Sequence, residues 1–273
     1  MAGFFLGLLL GSIYAVRVVG AVGHIRGFAA FASIMSIAVL GHILLIEPVV
    51  WFVLRAAAGF CMAGMIMVVE SWINERAKKE TRGQILSLYM MINYLGSGLG
   101  QFMITVADPA RFQLFVIASI VFSAALLPIL LTTASAPRPT SPKRMNFKDL
   151  YKISPLAIIG TLCAGMLGSS INGMGPVFAS DSGLPVVGVS TFMASVIIGG
   201  MVLQFPVGRL SDSFDRRTIL ALVAFLTVLA ALGVIWAVGK PPIWLFVAGA
   251  IFGGFAFTIY PLCASQINDL ADP

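Results

Sequence analysis

About nine long apolar runs divide this 273-residue chain, at roughly 2–22, 28–46, 48–72, 84–107, 111–133, 155–179, 187–210, 218–238 and 242–266. A helix needs about 20 predominantly apolar residues to cross a hydrocarbon core about 30 Å thick, so each run is close to one bilayer crossing. A membrane β-barrel would instead show alternating segments of about ten residues, a pattern the sequence lacks. Composition agrees: 59% of residues are hydrophobic and 10% are charged, where a soluble domain carries about a quarter charged residues. So few charges cannot cover a water-facing surface, and lipid must be the solvent for much of it. The expectation is an all-α membrane protein. Met1 is followed almost at once by the apolar stretch Gly3–Leu10, so no cleavable signal peptide is expected.

Most separators are short and carry turn signals, such as Glu47-Pro48, Asp108-Pro109, Asp181-Ser182-Gly183 and Gly239-Lys240-Pro241. Residues 134–154 differ, being proline-rich and basic, and divide the chain into an amino-terminal half, 1–133, and a carboxy-terminal half, 155–273. With alternating crossings, fourteen lysines and arginines fall on one side: Arg17, Arg26, Arg76, Lys78, Lys79, Arg82, Arg138, Lys143, Arg144, Lys148, Lys152, Arg209, Arg216 and Arg217. Arg111 and Lys240 fall on the other side, and Arg55 lies within a run. Positively charged loops are retained in the cytoplasm. That places the amino terminus outside and the carboxyl terminus inside. The net charge of +6 is then a topology signal, and a nucleic-acid partner is not required to explain it.

Cys61, Cys163 and Cys263 sit singly inside apolar runs, with neither metal-ligand nor disulfide spacing. His24 in a loop and His42 near a helix end are unclustered and are read as solvated or packed side chains. No phosphate-binding glycine loop, paired His-Glu metal motif or nucleophile triad is present. The chain therefore reads as a non-enzyme with no implied cofactor.

Two stretches are more specific. The segment Gln204-Phe205-Pro206-Val207-Gly208-Arg209-Leu210-Ser211-Asp212 leads to Asp215-Arg216-Arg217. It resembles the loop signature of the major facilitator superfamily, in which a glycine is followed four residues later by aspartate and then by basic residues. Upstream, Arg55 is followed by three alanines and Gly59, then by Val68-Val69-Glu70-Ser71, Arg82-Gly83, Tyr89-Met90-Met91 and Gly96-Ser97-Gly98-Leu99-Gly100-Gln101. With Phe257-Thr258-Ile259-Tyr260-Pro261, this series is similar to the YcaD-like bacterial branch of the superfamily. The resemblance implies a major facilitator fold in two pseudo-symmetric halves, in the bacterial inner membrane. It also implies a secondary active transporter that moves a small solute by alternating access, with protons as a candidate coupling ion. Family members have twelve helices. Matching the 134–154 linker to their long central loop puts the present runs at family positions two to ten, so counterparts of the first, eleventh and twelfth are expected to be lacking. The competing expectation is therefore a truncated, non-transporting fragment.

An ionisable residue inside a span is a functional candidate by default. Arg55 can hold an anionic solute group, or its long stem can reach the external interface. Glu70 lies fifteen residues further on, roughly 22 Å along the axis, too far to pair with it. It can carry a proton, or it can pair with a basic loop residue such as Arg82. Asn93, Tyr94, Gln101, Asn172, Gln204, Tyr260 and Gln266 are candidate hydrogen-bonding groups along a pathway. By resemblance, Asp212, Arg216 and Arg217 form a gating loop, with the Asp212 carboxylate expected near the start of the fourth helix, around Thr81 to Gln84. Aspartate at 215, where the motif usually has glycine, departs from that pattern. Glycines four apart, at 3, 7 and 11, at 96 and 100, and at 249 and 253, mark faces where membrane helices approach closely.

Overall fold

The computed structural model describes residues 2–76, 82–108, 111–132, 151–152 and 154–271. Ten α-helices and one 3-10 helix account for most of them: α1 (Ala2–Val22), α2 (His24–Leu44), α3 (Pro48–Arg76), α4 (Arg82–Gly100), the 3-10 helix Gln101–Thr105, α5 (Gln113–Ala124), α6 (Leu126–Leu130), α7 (Pro155–Asp181), α8 (Val186–Ser213), α9 (Arg216–Ala237) and α10 (Pro242–Ala271). Among the described residues, eight helices are long and apolar enough to cross a membrane, with α5 and α6 joined as one span over Gln113–Leu130. The expected helix over 84–107 is absent from that set. It tightens into the 3-10 helix after Gly100, following Gly96, Gly98 and Gly100, residues that hold a helix poorly. α2 starts four residues earlier than expected, so His24 opens a helix and is buried rather than lying in a loop. Gly23, at φ 87°, makes this abrupt start possible, because a side chain is strained there.

The chain divides into two compact units, one of Met1–Tyr89 with Ala107–Pro142 and one of Met90–Val106 with Lys143–Pro273. The stretch Met90–Val106 thus groups with the carboxy-terminal helices, through the packing of the 3-10 helix on α8, and not with the amino-terminal helices it was expected to join. The 134–150 part of the linker lies outside the described residues.

In the first unit α3 is the central element, packed by α1 and α2, with α5 and α6 against α2. The α1–α3 seam is built on glycine. A Cβ at Gly7 would land on the carbonyl of Ala56, and one at Gly59 on the carbonyl of Phe4. At Gly11 it would lie 2.7 Å from the Phe60 carbonyl oxygen. Lipid tails are as apolar as leucine, so helices gain nothing by merely hiding apolar surface from them; close packing must hold them together. Polar pairs add to it: Ser36 Oγ on α2 lies 2.6 Å from Ser119 Oγ and 3.2 Å from Ser123 Oγ on α5. His24 Nε2 lies 3.0 Å from Ser71 Oγ on α3.

The second unit repeats the device around α10, which packs against α8, α9 and α7. A Cβ at Gly199 would fall on the Ala250 carbonyl, and one at Gly253 on the Val196 carbonyl. By contrast, Gly96 and Gly100 meet no neighbour within 4 Å, so this glycine pair marks no helix contact.

Two caps set the helix starts in this unit. Ser154 accepts a hydrogen bond from Ala157 N at 3.3 Å, with Pro155 opening α7. Asp215 caps α9, accepting from Thr218 Oγ1 at 2.9 Å and Thr218 N at 3.0 Å. Its φ of −58° requires no glycine, which explains how aspartate is accommodated where the family motif usually has glycine.

Two outcomes follow from this packing. Gly7→Leu should lower the apparent Tm in detergent, because overpacking costs about 1–3 kcal/mol, whereas Gly96→Ala should leave it unchanged or raise it. Thermal size-exclusion chromatography separates the two; equal losses would contradict the seam. The hydrogen bonds from the Thr218 hydroxyl and then its amide hold the Asp215 carboxyl below its ordinary range. The cap is therefore present above the unfolded carboxylate pKa of about 3.9 and is lost as pH falls through the lower folded value. Amide exchange at Thr218 should rise over that window relative to its intrinsic rate. In Asp215→Asn, whose amide oxygen still caps, the rise should be absent.

Candidate functional site

Polar groups are costly inside an apolar bundle unless they are paired, so unpaired ones mark places of interest. Four of the orphaned buried side-chain groups among the described residues are His24 Nδ1, His42 Nε2, Gln204 Oε1 and Gln266 Oε1. The two glutamines come from α8 and α10 of the second unit. Gln204 lines a cavity of about 130 Å³ together with Ser211, Arg216, Thr258, Pro261 and Ser265. Gln266 follows Ser265 directly and is 4% exposed.

Three elements position this lining. α8 supplies Gln204 and the buried Ser211, α9 supplies Arg216 in its first turn, and α10 supplies Thr258, Pro261 and Ser265. Pro206 and Pro261 lie inside α8 and α10. A proline has no N–H to donate to the carbonyl four residues back and pushes that carbonyl away. Val202 and Phe257 therefore keep carbonyl oxygens outside the helical ladder, on the same two helices that carry the orphaned glutamine oxygens. Thr258 Oγ1 spends its proton on Phe255 O at 2.8 Å, leaving its lone pairs as acceptors. The polar part of the cavity lining is the Gln204 amide, the hydroxyls of Ser211, Thr258 and Ser265, and the Arg216 guanidinium. The cavity is large enough to hold several waters. It suits a hydrated path or a small polar group.

The structure brings two of the sequence candidates together here, Gln204 and Arg216. The others are placed elsewhere. Tyr94 is half-buried with its ring 6.4 Å from that of Phe257, one residue before Thr258. Tyr260 is 57% exposed on α10. Asn93 is exposed on α4. Gln101 Nε2 donates to Ser97 O at 3.5 Å, and Asn172 Nδ2 donates to Gly168 O at 2.8 Å. Each of these last two amides is engaged by its own chain segment. Arg55 is exposed on α3. Glu70 is half-buried near the end of α3, within electrostatic reach of Tyr89. The Arg82 side chain, Thr81 and the Asp212 side chain lie outside the described residues, and with them the expected pairing of Glu70 with Arg82 and the placement of the Asp212 carboxylate. Arg217 is exposed beside Asp215.

Of the two readings given to the histidines, solvated or packed, both take the packed one. His42 is 5% exposed; its Nδ1 donates to Ala38 O at 2.6 Å, and its ring lies 5.3 Å from Trp51 and 6.3 Å from Phe115. The missed clue to the cavity was proline: an apolar span that carries a proline beside polar residues keeps free carbonyls at membrane depth.

Comparison with known proteins agrees with this architecture. The chain matches the profile of the Major Facilitator Superfamily over residues 1–273. It is 27% identical over 261 residues to an uncharacterised MFS-type transporter, YcaD, of Escherichia fergusonii, covering 95% of this chain and 67% of that protein. It is 28% identical over the same length to an uncharacterised MFS-type transporter of Yersinia pestis, again with 95% and 67% covered. The chain thus spans about two thirds of the length of these relatives. The crystal structure of a D-xylose-proton symporter aligns with a TM-score of 0.72 at 15% identity, over 99% of this chain and 74% of that one. That of the Escherichia coli fucose:proton symporter aligns with a TM-score of 0.60 at 13% identity, over 97% and 74%. These two likenesses concern the fold. With apolar helices throughout, the chain is a multi-pass membrane protein, and it belongs to the Major Facilitator Superfamily.

Proposed function

We propose that the chain acts in secondary active transport, moving a small solute across the bacterial inner membrane by alternating exposure of a site within the bilayer. The observation that supports this most directly is the polar cavity between α8, α9 and α10. It gathers Gln204, Ser211, Thr258, Ser265 and Arg216 beside two apolar clusters of buried residues in the same unit. Maintaining such groups in a membrane costs stability, and polar groups at membrane depth mark substrate and ion paths. Gln204 is assigned the solute-facing role, with Tyr94, Tyr260, Arg55, Asn93, Gln101 and Asn172 as further contacts along the path. Asp212, Arg216 and Arg217 are assigned to gating, and Glu70 to proton coupling. The positive-inside bias supports an external amino terminus and an internal carboxyl terminus. The chemistry of the lining is that of a carrier rather than a catalyst.

A second reading is favoured by the 67% coverage of the relatives: residues 1–273 insert and fold but move no solute by themselves. In that case the relatives' additional segments supply part of the pathway.

A ligand that binds the folded protein raises its Tm by mass action. A thermal-shift screen of small solutes should therefore find a class that stabilises the chain, and proteoliposomes should take up that class. Gln204→Leu replaces a buried acceptor by an apolar side chain of similar size. It should reduce both the shift and the uptake by about tenfold, the effect of one lost hydrogen bond worth roughly 1.4 kcal/mol. Uptake unchanged in Gln204→Leu would remove the cavity from the pathway. Uptake that appears only when the relatives' additional segments are appended would establish the second reading.

A further inference from the structure

The α8–α10 pair changes character along its length. Toward the Val186 end of α8 and the Pro242 end of α10, the helices meet backbone to backbone, at Gly199 against Ala250 and at Gly253 against Val196. Further along, Gln204, Gly208 and Ser211 of α8 and Thr258, Pro261 and Ser265 of α10 border the polar cavity. The boundary between the sealed and the open stretch falls at Gly200 and Phe257, four residues before Gln204 and one before Thr258.

Gly200 is the seat of the Phe257 side chain. A Cβ at Gly200 would lie 2.6 Å from Phe257 Cδ2, 3.1 Å from its Cβ and 3.3 Å from its Cγ. Even one methyl group there would force the ring to move. The Tyr94 ring of α4 lies 6.4 Å from the Phe257 ring at 47°, within the range of interacting aromatic pairs. Phe257 also packs on the apolar cluster that contains Phe192, Met193 and Val196. The ring is thus held from α4, α8 and the seam side of its own helix.

Its backbone is held less firmly. Phe257 stands four residues before Pro261, so its carbonyl receives no N–H in the α10 ladder. Proline is one of the few causes of a sharp helix bend. A bend at this point shifts the Phe257 ring relative to Gly200, while the Gly199 and Gly253 contacts hold the rest of the seam.

We propose that Phe257 is a stop that closes the polar cavity on its seam side, seated on Gly200 and released when α10 bends at Pro261. This role rests on the transport reading of the same cavity and deepens it, because one side chain then governs whether the cavity opens toward the Arg216 end alone or also toward the opposite face. Seated, the ring puts hydrocarbon in the path of water between Gln204 and the seam. Released, it uncovers Gly200, which has no side chain to take its place. The basic-loop bias puts the Arg216 end at the cytoplasmic face, so the stop stands on the external side of the cavity.

Gln204→Cys tests this in the full chain, with the three native cysteines replaced by serine or alanine. Sealed, oriented vesicles are treated with a membrane-impermeant thiol reagent at one face at a time. Labelling should enter from the cytoplasmic face and be slow from the external one. Phe257→Ala should speed external labelling by about tenfold, the population shift equivalent to losing roughly 1.4 kcal/mol of ring contact. Gly200→Ala, which displaces the ring without removing it, should act in the same direction, and size exclusion checks that each variant is folded. Equally fast labelling from both faces before either substitution would overturn the proposal. So would external labelling that neither substitution changes while cytoplasmic entry persists, an outcome that leaves the transport reading standing. No labelling from either face would remove the hydrated cavity, and the transport reading would fall together with the stop.

Discussion

The close approach of α1 to α3, and of α8 to α10, is the interaction on which the rest of the structure depends. In water, apolar helices assemble because burial removes hydrocarbon from solvent. In lipid that force between helices is absent, and what remains is packing and a few hydrogen bonds. Gly7 and Gly59 on one seam, and Gly199 and Gly253 on the other, each place a helix backbone directly on the backbone of its partner. Once α3 and α10 are fixed in this way, each becomes the post around which its unit is built.

The same constraint explains where polar chemistry collects. Backbone groups at membrane depth must be satisfied within the helix or open onto a polar space. Pro206 and Pro261 interrupt the ladder on α8 and α10, and the same two helices supply Gln204, Ser211, Thr258 and Ser265 to the cavity, alongside Val207 and Leu262. A glycine seam and a proline-linked cavity thus occupy the same helix pair, the first holding α8 and α10 together and the second keeping them from closing along their full length. Rigid packing next to an open polar space is what a site that must admit and release a solute requires. Arg216, in the first turn of α9, borders the polar cavity.

Much of this was legible in the residues because the bilayer permits so few solutions. Run length alone located most of the spans, and the Gly3-Gly7-Gly11 spacing pointed to the seam on α1. Where sequence reasoning fell short, the causes were local. The run over 84–107 is apolar enough to suggest one helix, yet its clustered glycines let the chain tighten at Gly100. The pair Gly96 and Gly100 has the same spacing as the seam glycines but faces open space, since spacing reports a face and not what lies opposite it. Asp215 looked like a broken turn motif and is instead a helix cap, because a cap asks for a side-chain oxygen and not for positive φ. Of the polar candidates, Gln204 and Arg216 converge because the two-residue link after α8 brings the start of α9 back beside it, where α10 completes the lining. Asn172 and Gln101 are satisfied by their own segments, and one-dimensional spacing does not distinguish the two cases.

The central claim is that the space between α8 and α10 is a hydrated part of a transport path and not a packing defect filled by lipid. The most direct measurement is the labelling rate of Ser265→Cys, with the three native cysteines replaced by serine or alanine, using a membrane-impermeant thiol reagent applied to one face of sealed, oriented vesicles. The account predicts reaction from the cytoplasmic face, at a rate that changes when a stabilising solute is added. A rate as low as that of a cysteine placed at Phe225, an exposed apolar position within the α9 span, unaffected by any solute that stabilises the protein, would contradict it.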